Sequence, residues 1–178
     1  MTPPIRRPLI PRLPRMASAV GFILAIAGVS YPTTASENWF RQPAISPDGQ
    51  HIVFAAQGDL WRVSAAGGAA TPITVDRHWE GYPVWSRDGK QIAFASDRFG
   101  DLDVFVMNAD GSGLKRLTFH EADDYPSDFS PDGSRVLFSS ARQDSSESSY
   151  FPTGALPELY EVNVMGGTPD MLFTNPAR

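Results

Sequence analysis

From about residue 40 onward, short runs rich in Val, Ile, Phe and Ala alternate with clusters of Gly, Pro, Asp and Ser. Gln91-Ile-Ala-Phe-Ala-Ser96 changes character at every second position, the period of a half-buried strand. Val104-Phe-Val-Met-Asn108 is a second such run, with the β-branched and aromatic content that suits a pleated surface. The pattern predicts many short strands joined by tight turns.

These runs repeat. Pro43-Ala-Ile-Ser-Pro-Asp-Gly-Gln-His-Ile-Val-Phe54 is matched by Pro83-Val-Trp-Ser-Arg-Asp-Gly-Lys-Gln-Ile-Ala-Phe94 and by Ser127-Asp-Phe-Ser-Pro-Asp-Gly-Ser-Arg-Val-Leu-Phe138. Behind each comes a run with an aromatic six residues before a glycine, carrying Trp61, Phe105 and Tyr160. A third landmark closes each unit: Thr71-Pro-Ile-Thr74, Lys115-Arg-Leu-Thr118 and Asp170-Met-Leu-Phe-Thr174. A repeat of this length must be recognised before any fold is assigned, because one unit cannot bury its own apolar face.

Within a unit, Ser-Pro-Asp-Gly has the chemistry of a hairpin turn: proline presets φ, the Asp side chain caps the turn, and glycine takes the positive φ that follows. Ser86-Arg-Asp-Gly89 keeps all but the proline. Very short first strands are predicted at Ile45-Ser46, Trp85-Ser86 and Phe129-Ser130, with Pro83 and Pro126 just ahead of them, where no ladder bond is yet needed. The second strand follows the turn, the third carries the aromatic, and the fourth lies around Leu117 in the middle unit. Four short antiparallel strands per 40 to 44 residues make one blade of a β-propeller. The expected fold is therefore all-β, with about three blades of an incomplete propeller at about 40–75, 80–119 and 124–175. In the third unit, 22 residues separate Phe138 from Tyr160, against 7 and 11 at the matching places. The excess, residues 142–157, is a Ser- and Pro-rich insertion between the second and third strands, and insertions that spare the strands gather on one face.

Composition adds limits. The 178 residues include no cysteine, which removes disulfides, thiolate metal sites and cysteine nucleophiles. Gly and Pro make up about 17% of the chain against about 12% ordinarily, again favouring turns over long helices. Residues 1–35 contain Arg6, Arg7, Arg12 and Arg15 and no acid, whereas the rest holds 11 basic against 20 acidic residues, a net −9. A body of that charge repels a phosphate backbone, so no nucleic-acid partner is expected. Met16 to Ser30 is small or apolar throughout and follows the four arginines. It is shorter than a membrane span and is followed by Thr33-Thr34-Ala35, which reads as a signal peptide cleaved near Ala35. An uncleaved anchor is the alternative. The expected product is exported, periplasmic or secreted, with residues 36–178 as the folded part and no integral membrane domain after cleavage.

Motifs for chemistry are missing. There is no Gly-x-Ser-x-Gly elbow and no His-Glu-x-x-His; Gly111-Ser-Gly113 lacks the third glycine of a dinucleotide loop, and Gly89-Lys90 is followed by Gln91. No catalytic, cofactor-binding or metal-binding residue is assigned, and no cofactor is expected. His51, His78 and His120 occupy non-equivalent places in the repeat. His51 is read as a solvated edge residue. His78 lies near Glu80, and His120 near Glu121, Asp123 and Asp124, so the crossings between blades offer carboxylates to a cation; solvated acidic loops at a propeller rim are the stronger explanation. Met107-Asn-Ala-Asp-Gly111 fails the calcium-loop pattern because Val106 occupies its first position. Trp61, Phe105 and Tyr160 recur at one blade position and are expected in the core between blades. Arg98 and Arg142 follow the second strands of blades two and three, and are expected to pair locally with Asp101 or Asp144.

With Ser96-Asp-Arg-Phe-Gly-Asp-Leu-Asp-Val-Phe-Val-Met-Asn-Ala-Asp-Gly111 and the Ser-Pro-Asp-Gly repeats, residues 37 to 177 resemble the propeller repeats of TolB and of tricorn-type proteases. The tricorn side is favoured because the first blade starts soon after the cleavage site, with no room for the α/β domain that precedes the TolB propeller. Phe138-Ser-Ser-Ala-Arg-Gln-Asp144 with Phe151-Pro-Thr-Gly-Ala-Leu-Pro-Glu-Leu-Tyr160 also resembles the third blade of tricorn-like serine peptidases. The resemblance implies a six-bladed N-terminal propeller, a second propeller, a PDZ module and a remote C-terminal catalytic domain. Three blades do not close a ring, so the chain is expected to be an N-terminal portion that folds poorly alone. Its expected role is non-catalytic: gating or docking peptides for that remote site. The alternatives are a stand-alone TolB-like module for protein interaction, and third a prolyl-oligopeptidase-type enzyme with its Gly-x-Ser-x-Gly elbow downstream. The expected partner is a polypeptide substrate or another protein, with self-association left open.

Overall fold

The computed structural model describes residues 40–142 and 157–173, all within the compact unit 36–178. The expected signal peptide at residues 1–35, Asp144 and most of the 142–157 insertion lie outside the described residues. Twelve strands form three sheets. The first contains β1 (Arg41–Ile45), β2 (His51–Ala56), β3 (Asp59–Ser64) and β4 (Thr71–Pro72); the second, β5 (Glu80–Trp85), β6 (Gln91–Ser96), β7 (Asp103–Asn108) and β8 (Lys115–Arg116). The third contains β9 (Asp124–Phe129), β10 (Arg135–Ser140), β11 (Glu158–Asn163) and β12 (Asp170–Phe173). Each sheet is an antiparallel meander in chain order. The first strands β1, β5 and β9 lie against one another in succession, as inner strands do around a propeller axis. The chain forms three blades of an incomplete propeller.

The predicted turns close as their chemistry requires. Gly49, Gly89 and Gly133 take φ of 70°, 69° and 73°, and their N–H groups donate to the carbonyls of Ser46, Ser86 and Ser130 at 2.8, 2.9 and 2.8 Å. The Asp side chains cap these turns. Asp48 Oδ1 accepts from Ser46 Oγ at 2.5 Å and Gln50 N at 3.0 Å; Asp88 and Asp132 repeat the pattern with Ser86 and Ser130 at 2.7 and 2.6 Å. Losing Pro47's counterpart at Arg87 leaves this geometry unchanged, because the serine and aspartate carry it.

The first strands differ from expectation. They are five or six residues long rather than two, and Pro83 and Pro126 lie inside β5 and β9 instead of ahead of them. The reason is a bulge. Register slips between Arg41 and Ala44 in β1, between Gly81 and Val84 in β5, and opposite Leu137 and Phe138 in β9. In β5 the bulge takes Pro83 out of the register; in β9 the residue left out is Ser127, and Pro126 stays opposite Phe138 on a strand at the sheet edge, where a missing donor is tolerated. The irregularity also turns Gln42 and Tyr82 to φ of 53° and 54°.

Two apolar layers join the blades. Between the first two, Val53, Ala55 and Leu60 meet Ile92, Phe94, Phe105 and Met107; between the next two, Ala93, Val104 and Val106 meet Phe129, Val136, Phe138, Tyr160 and Val162. Each blade thus turns large side chains toward its predecessor and mostly smaller ones toward its successor, and the two sets form one buried layer at each seam. Stacked pairs Phe94–Phe105 and Phe138–Tyr160, with centroids 5.8 and 5.5 Å apart, form the large side. Phe105 and Tyr160 are therefore inter-blade core, as their repeat position predicts. Trp61 is only half-buried and its indole donates to the Ala56 carbonyl at 3.0 Å, because its face of the first blade has no preceding sheet against it among the described residues.

Candidate functional site

The meander places all crossings between blades, and all links from second to third strand, at one end of the molecule. At this crossing end the two seams share a polar array built from equivalent residues. Glu80 and Asp124 open β5 and β9 with fully buried side chains. Their N–H groups reach back to the preceding blade, donating to Gly58 O at 2.8 Å and Leu102 O at 2.7 Å. Arg98 pairs with Glu80, and Arg142 Nη2 donates to Asp124 Oδ2 at 2.5 Å. Both guanidinium groups also donate through Nε to a strand-end serine, Ser96 or Ser140, at 3.1 Å. Arg98 lies 4.9 Å from the Phe105 ring centroid, and Arg142 lies 5.0 and 5.2 Å from those of Phe138 and Tyr160. The preceding blade completes each array with a threonine: Thr74 Oγ1 accepts from Leu60 N at 2.8 Å, and Thr118 Oγ1 from Val104 N at 2.9 Å.

The acid that Arg98 pairs with is Glu80 rather than the expected Asp101; Asp144, the expected partner of Arg142, lies outside the described residues. Each arginine reaches an acid 18 residues upstream, since the antiparallel pairing of first and second strands sets Glu80 opposite Ser96 and Asp124 opposite Ser140. A buried carboxylate must find a cation or lose its charge, and the flanking Ser-x-Arg supplies one. The sequence signal was present in the equal spacing. In the first blade the equivalent positions are Phe40, Ala56 and Gly58, an apolar version in which Phe40 meets Phe54 edge-on at 5.2 Å.

The second seam carries an extra ion pair that sequence reasoning missed. Asp103, fully buried, faces Arg116 Nη2 at 2.7 Å, while Phe99 and Phe119 flank the guanidinium with centroids 4.3 and 4.6 Å away. Burial pushes the Asp103 carboxyl up to about 6, opposed by Arg116 and reinforced by Asp101 and Asp124. Burial also raises Glu80, against the Thr74 hydroxyl and Arg98. Both carboxylates are closed to solvent, so these arrays can tie blades together but cannot meet a substrate.

The histidines are dispersed. His78 is exposed beside Asp97 and Asp76 at 3.7 and 3.9 Å, and His120 Nδ1 accepts from Ala122 N at 3.0 Å. Among the described residues no three His, Asp or Glu side chains converge as metal ligands do. His51 is exposed at the opposite, turn end, where Ser46, Asp48, Arg62, Trp85 and Arg87 bound with it an open cleft of about 530 Å³ between the first two blades. Its polar groups are largely committed: Arg62 Nη1 donates to Ala109 O at 2.8 Å, and Trp85 Nε1 to Ala44 O at 3.1 Å. Among the described residues no helix is long and apolar enough to cross a membrane.

Three meander sheets with inner strands side by side and polar arrays at their seams define a β-propeller module. The chain belongs to the family of the tricorn protease N-terminal β-propeller domain, whose model matches residues 37–178. Among solved structures it is similar to TolB from Acinetobacter baumannii, with 23% identity and TM-score 0.63 over 78% of this chain and 33% of that one. It is also similar to a putative TolB from Agrobacterium tumefaciens, with 26% identity and TM-score 0.62 over 76% of this chain and 49% of the other. The tricorn protease matches at 22% identity and TM-score 0.56 over 70% of this chain and 12% of that one. The chain thus spans half or less of the length of each of these relatives. No curated protein matches it.

Proposed function

We propose that residues 36–178 are a non-catalytic propeller portion of an exported, tricorn-like serine peptidase, docking or gating peptides for an active site carried elsewhere. The observation that carries this reading is the family match over residues 37–178, joined to a geometry whose strongest ion pairs are buried at blade seams. Such a module contributes a surface rather than a reacting group. Export follows from the leader at residues 1–35, with cleavage near Ala35. The higher TM-scores to the two TolB structures favour a second reading, a stand-alone module for protein interaction in the same compartment.

Immunoblotting of an envelope fraction with antibody raised against residues 36–178 separates the two. A polypeptide several times longer than 178 residues, co-purifying with serine-inhibitor-sensitive peptidase activity, is the expected result. A band at the length of the processed chain would overturn the peptidase reading and leave the interaction module.

A further inference from the structure

We propose that Trp79, Tyr82 and Tyr125, with Asp97 and Asp123 at either side, form a ledge at the crossing end of the inner strands that binds a cationic, extended peptide; this rests on the docking reading above. Tyr82 and Tyr125 meet edge-to-face with centroids 5.1 Å apart, and Tyr82 meets Trp79 at 5.9 Å. The series is tied to carboxylates at both ends: Tyr125 Oη donates to Asp123 Oδ2 at 3.2 Å, and Trp79 N donates to Asp97 Oδ1 at 2.7 Å. Asp123 is exposed and Asp97 partly so.

The ledge is built rather than incidental. Tyr82 is held at φ 54°, a conformation uncommon for a bulky residue, and its N–H donates to Gln42 Oε1 at 2.8 Å. Gly81 beneath it leaves space for the indole: a Cβ there would overlap the Trp79 ring and come within 2.7 Å of Gln42 Oε1. The core does not require Tyr82 in this position, since it is 36% exposed.

Charge selects the occupant. Arg98, Arg116 and Arg142, the arginines of the seams, are committed to Glu80, Asp103 and Asp124. Both lysines of the chain, Lys90 and Lys115, fall at the turn end. Arg41, Arg77, His78 and His120 are the exposed basic residues near the ledge; His78 stands beside Asp76 and Asp97, and His120 Nδ1 accepts from Ala122 N. Against them stand exposed Asp76, Glu121 and Asp123 and the partly exposed Asp97, in a body of net −9. Aromatic faces flanked by carboxylates attract ammonium and guanidinium groups through ring quadrupole and Coulomb terms together, and an extended backbone lets successive basic side chains reach successive rings.

The test is fluorescence anisotropy of the full chain with a dye-labelled peptide of alternating lysine and serine and with its glutamate counterpart. The lysine peptide should bind, and the glutamate peptide at least about tenfold more weakly. Tyr82→Phe should keep binding, while Tyr82→Leu and the exposed-site variant Asp123→Asn should each weaken it several-fold; Asp123→Asn keeps the test valid should Tyr82→Leu fail to fold. Equal binding of both peptides, or binding indifferent to all three substitutions, overturns the ledge and leaves the docking reading intact. Binding of neither peptide also overturns the ledge, while the docking reading is decided by the immunoblot described above.

Discussion

The buried carboxylates decide how this protein answers to pH. Asp103 has a folded-state pKa raised to about 6 from an ordinary value near 3.8, with burial as the largest cause. Between those values the folded chain holds a proton that the unfolded chain has released, so this group favours folding less as pH rises through the window. The turn aspartates act oppositely. Hydrogen bonds from Ser130 and from the Ser134 backbone and hydroxyl lower Asp132 to about 2, and Asp48, Asp88 and Asp110 are lowered by the same kind of contact. Their contribution is present above about pH 4 and lost as pH falls through their lowered values. Stability to urea should therefore rise modestly from pH 7 to pH 5 and fall below pH 4. In Asp103→Asn the rise between pH 7 and pH 5 should flatten, and an unchanged slope would refute the assignment. Removing Arg98 has a larger effect, because Glu80 stays buried without its cation: Arg98→Ala should lose about 3 to 5 kcal/mol, measured by denaturant unfolding, with Arg98→Ala/Glu80→Gln recovering part of it.

At the scale of the element, the bulged first strand is what the repeat pattern concealed. Residues Gln91–Ser96 and Asp103–Asn108 are regular strands where the sequence places them, but they are buried on both faces rather than half-buried, because a blade packs against each side. Turns were equally legible, because Ser, Asp and Gly each have one local task there. Pro83 and Pro126 misled for a physical reason: proline disfavours a ladder position, but the bulge in β5 takes Pro83 out of the register, and Pro126, opposite Phe138, sits on an edge strand that tolerates a missing donor. The Arg98–Glu80 and Arg142–Asp124 pairs were hidden because their spacing of 18 residues spans a whole hairpin, where local charge reasoning looks only a few residues away. Arg116 and Asp103 were hidden in the same manner. The bulge makes its own prediction. Gly81→Ala forces the Trp79 ring and Gln42 amide apart, and should quench or shift Trp79 emission while leaving the far-ultraviolet strand signal in place. An unaltered tryptophan spectrum would show that the indole does not rest on this backbone.

At the scale of the whole molecule, stability is distributed along a row of sheets that touch only their neighbours, so it follows nearest-neighbour logic. Among the described residues, the middle blade alone is covered on both faces. Its β6 is buried from Ile92 to Ser96 and its β7 from Asp103 to Met107, whereas β10 of the third blade alternates between buried and partly exposed positions. The outer blades expose apolar side chains on their free faces and edges, with Phe40 67% and Ile45 61% exposed on the first and Met171 and Leu172 exposed on the third. Four to eight blades close a ring in propellers generally, and the relatives whose structures match are two or more times longer than the matched part. Opening should therefore start from both flanks. Native-state hydrogen exchange of the full chain should show the slowest amides in β6 and β7, faster exchange in β2 and β10, and the fastest in β1, β4 and β12. The gradient should also steepen in Phe94→Ala, which removes a fully buried ring from the layer between the first two blades and should cost about 3 to 5 kcal/mol. That loss detaches the first blade more than the third, because Phe138 and Tyr160 hold the other layer independently. Uniform protection across all three sheets, or equal loosening of the first and third blades in Phe94→Ala, would mean that the blades fold as one indivisible unit and that the seam arrays, rather than the apolar layers, set the cooperativity.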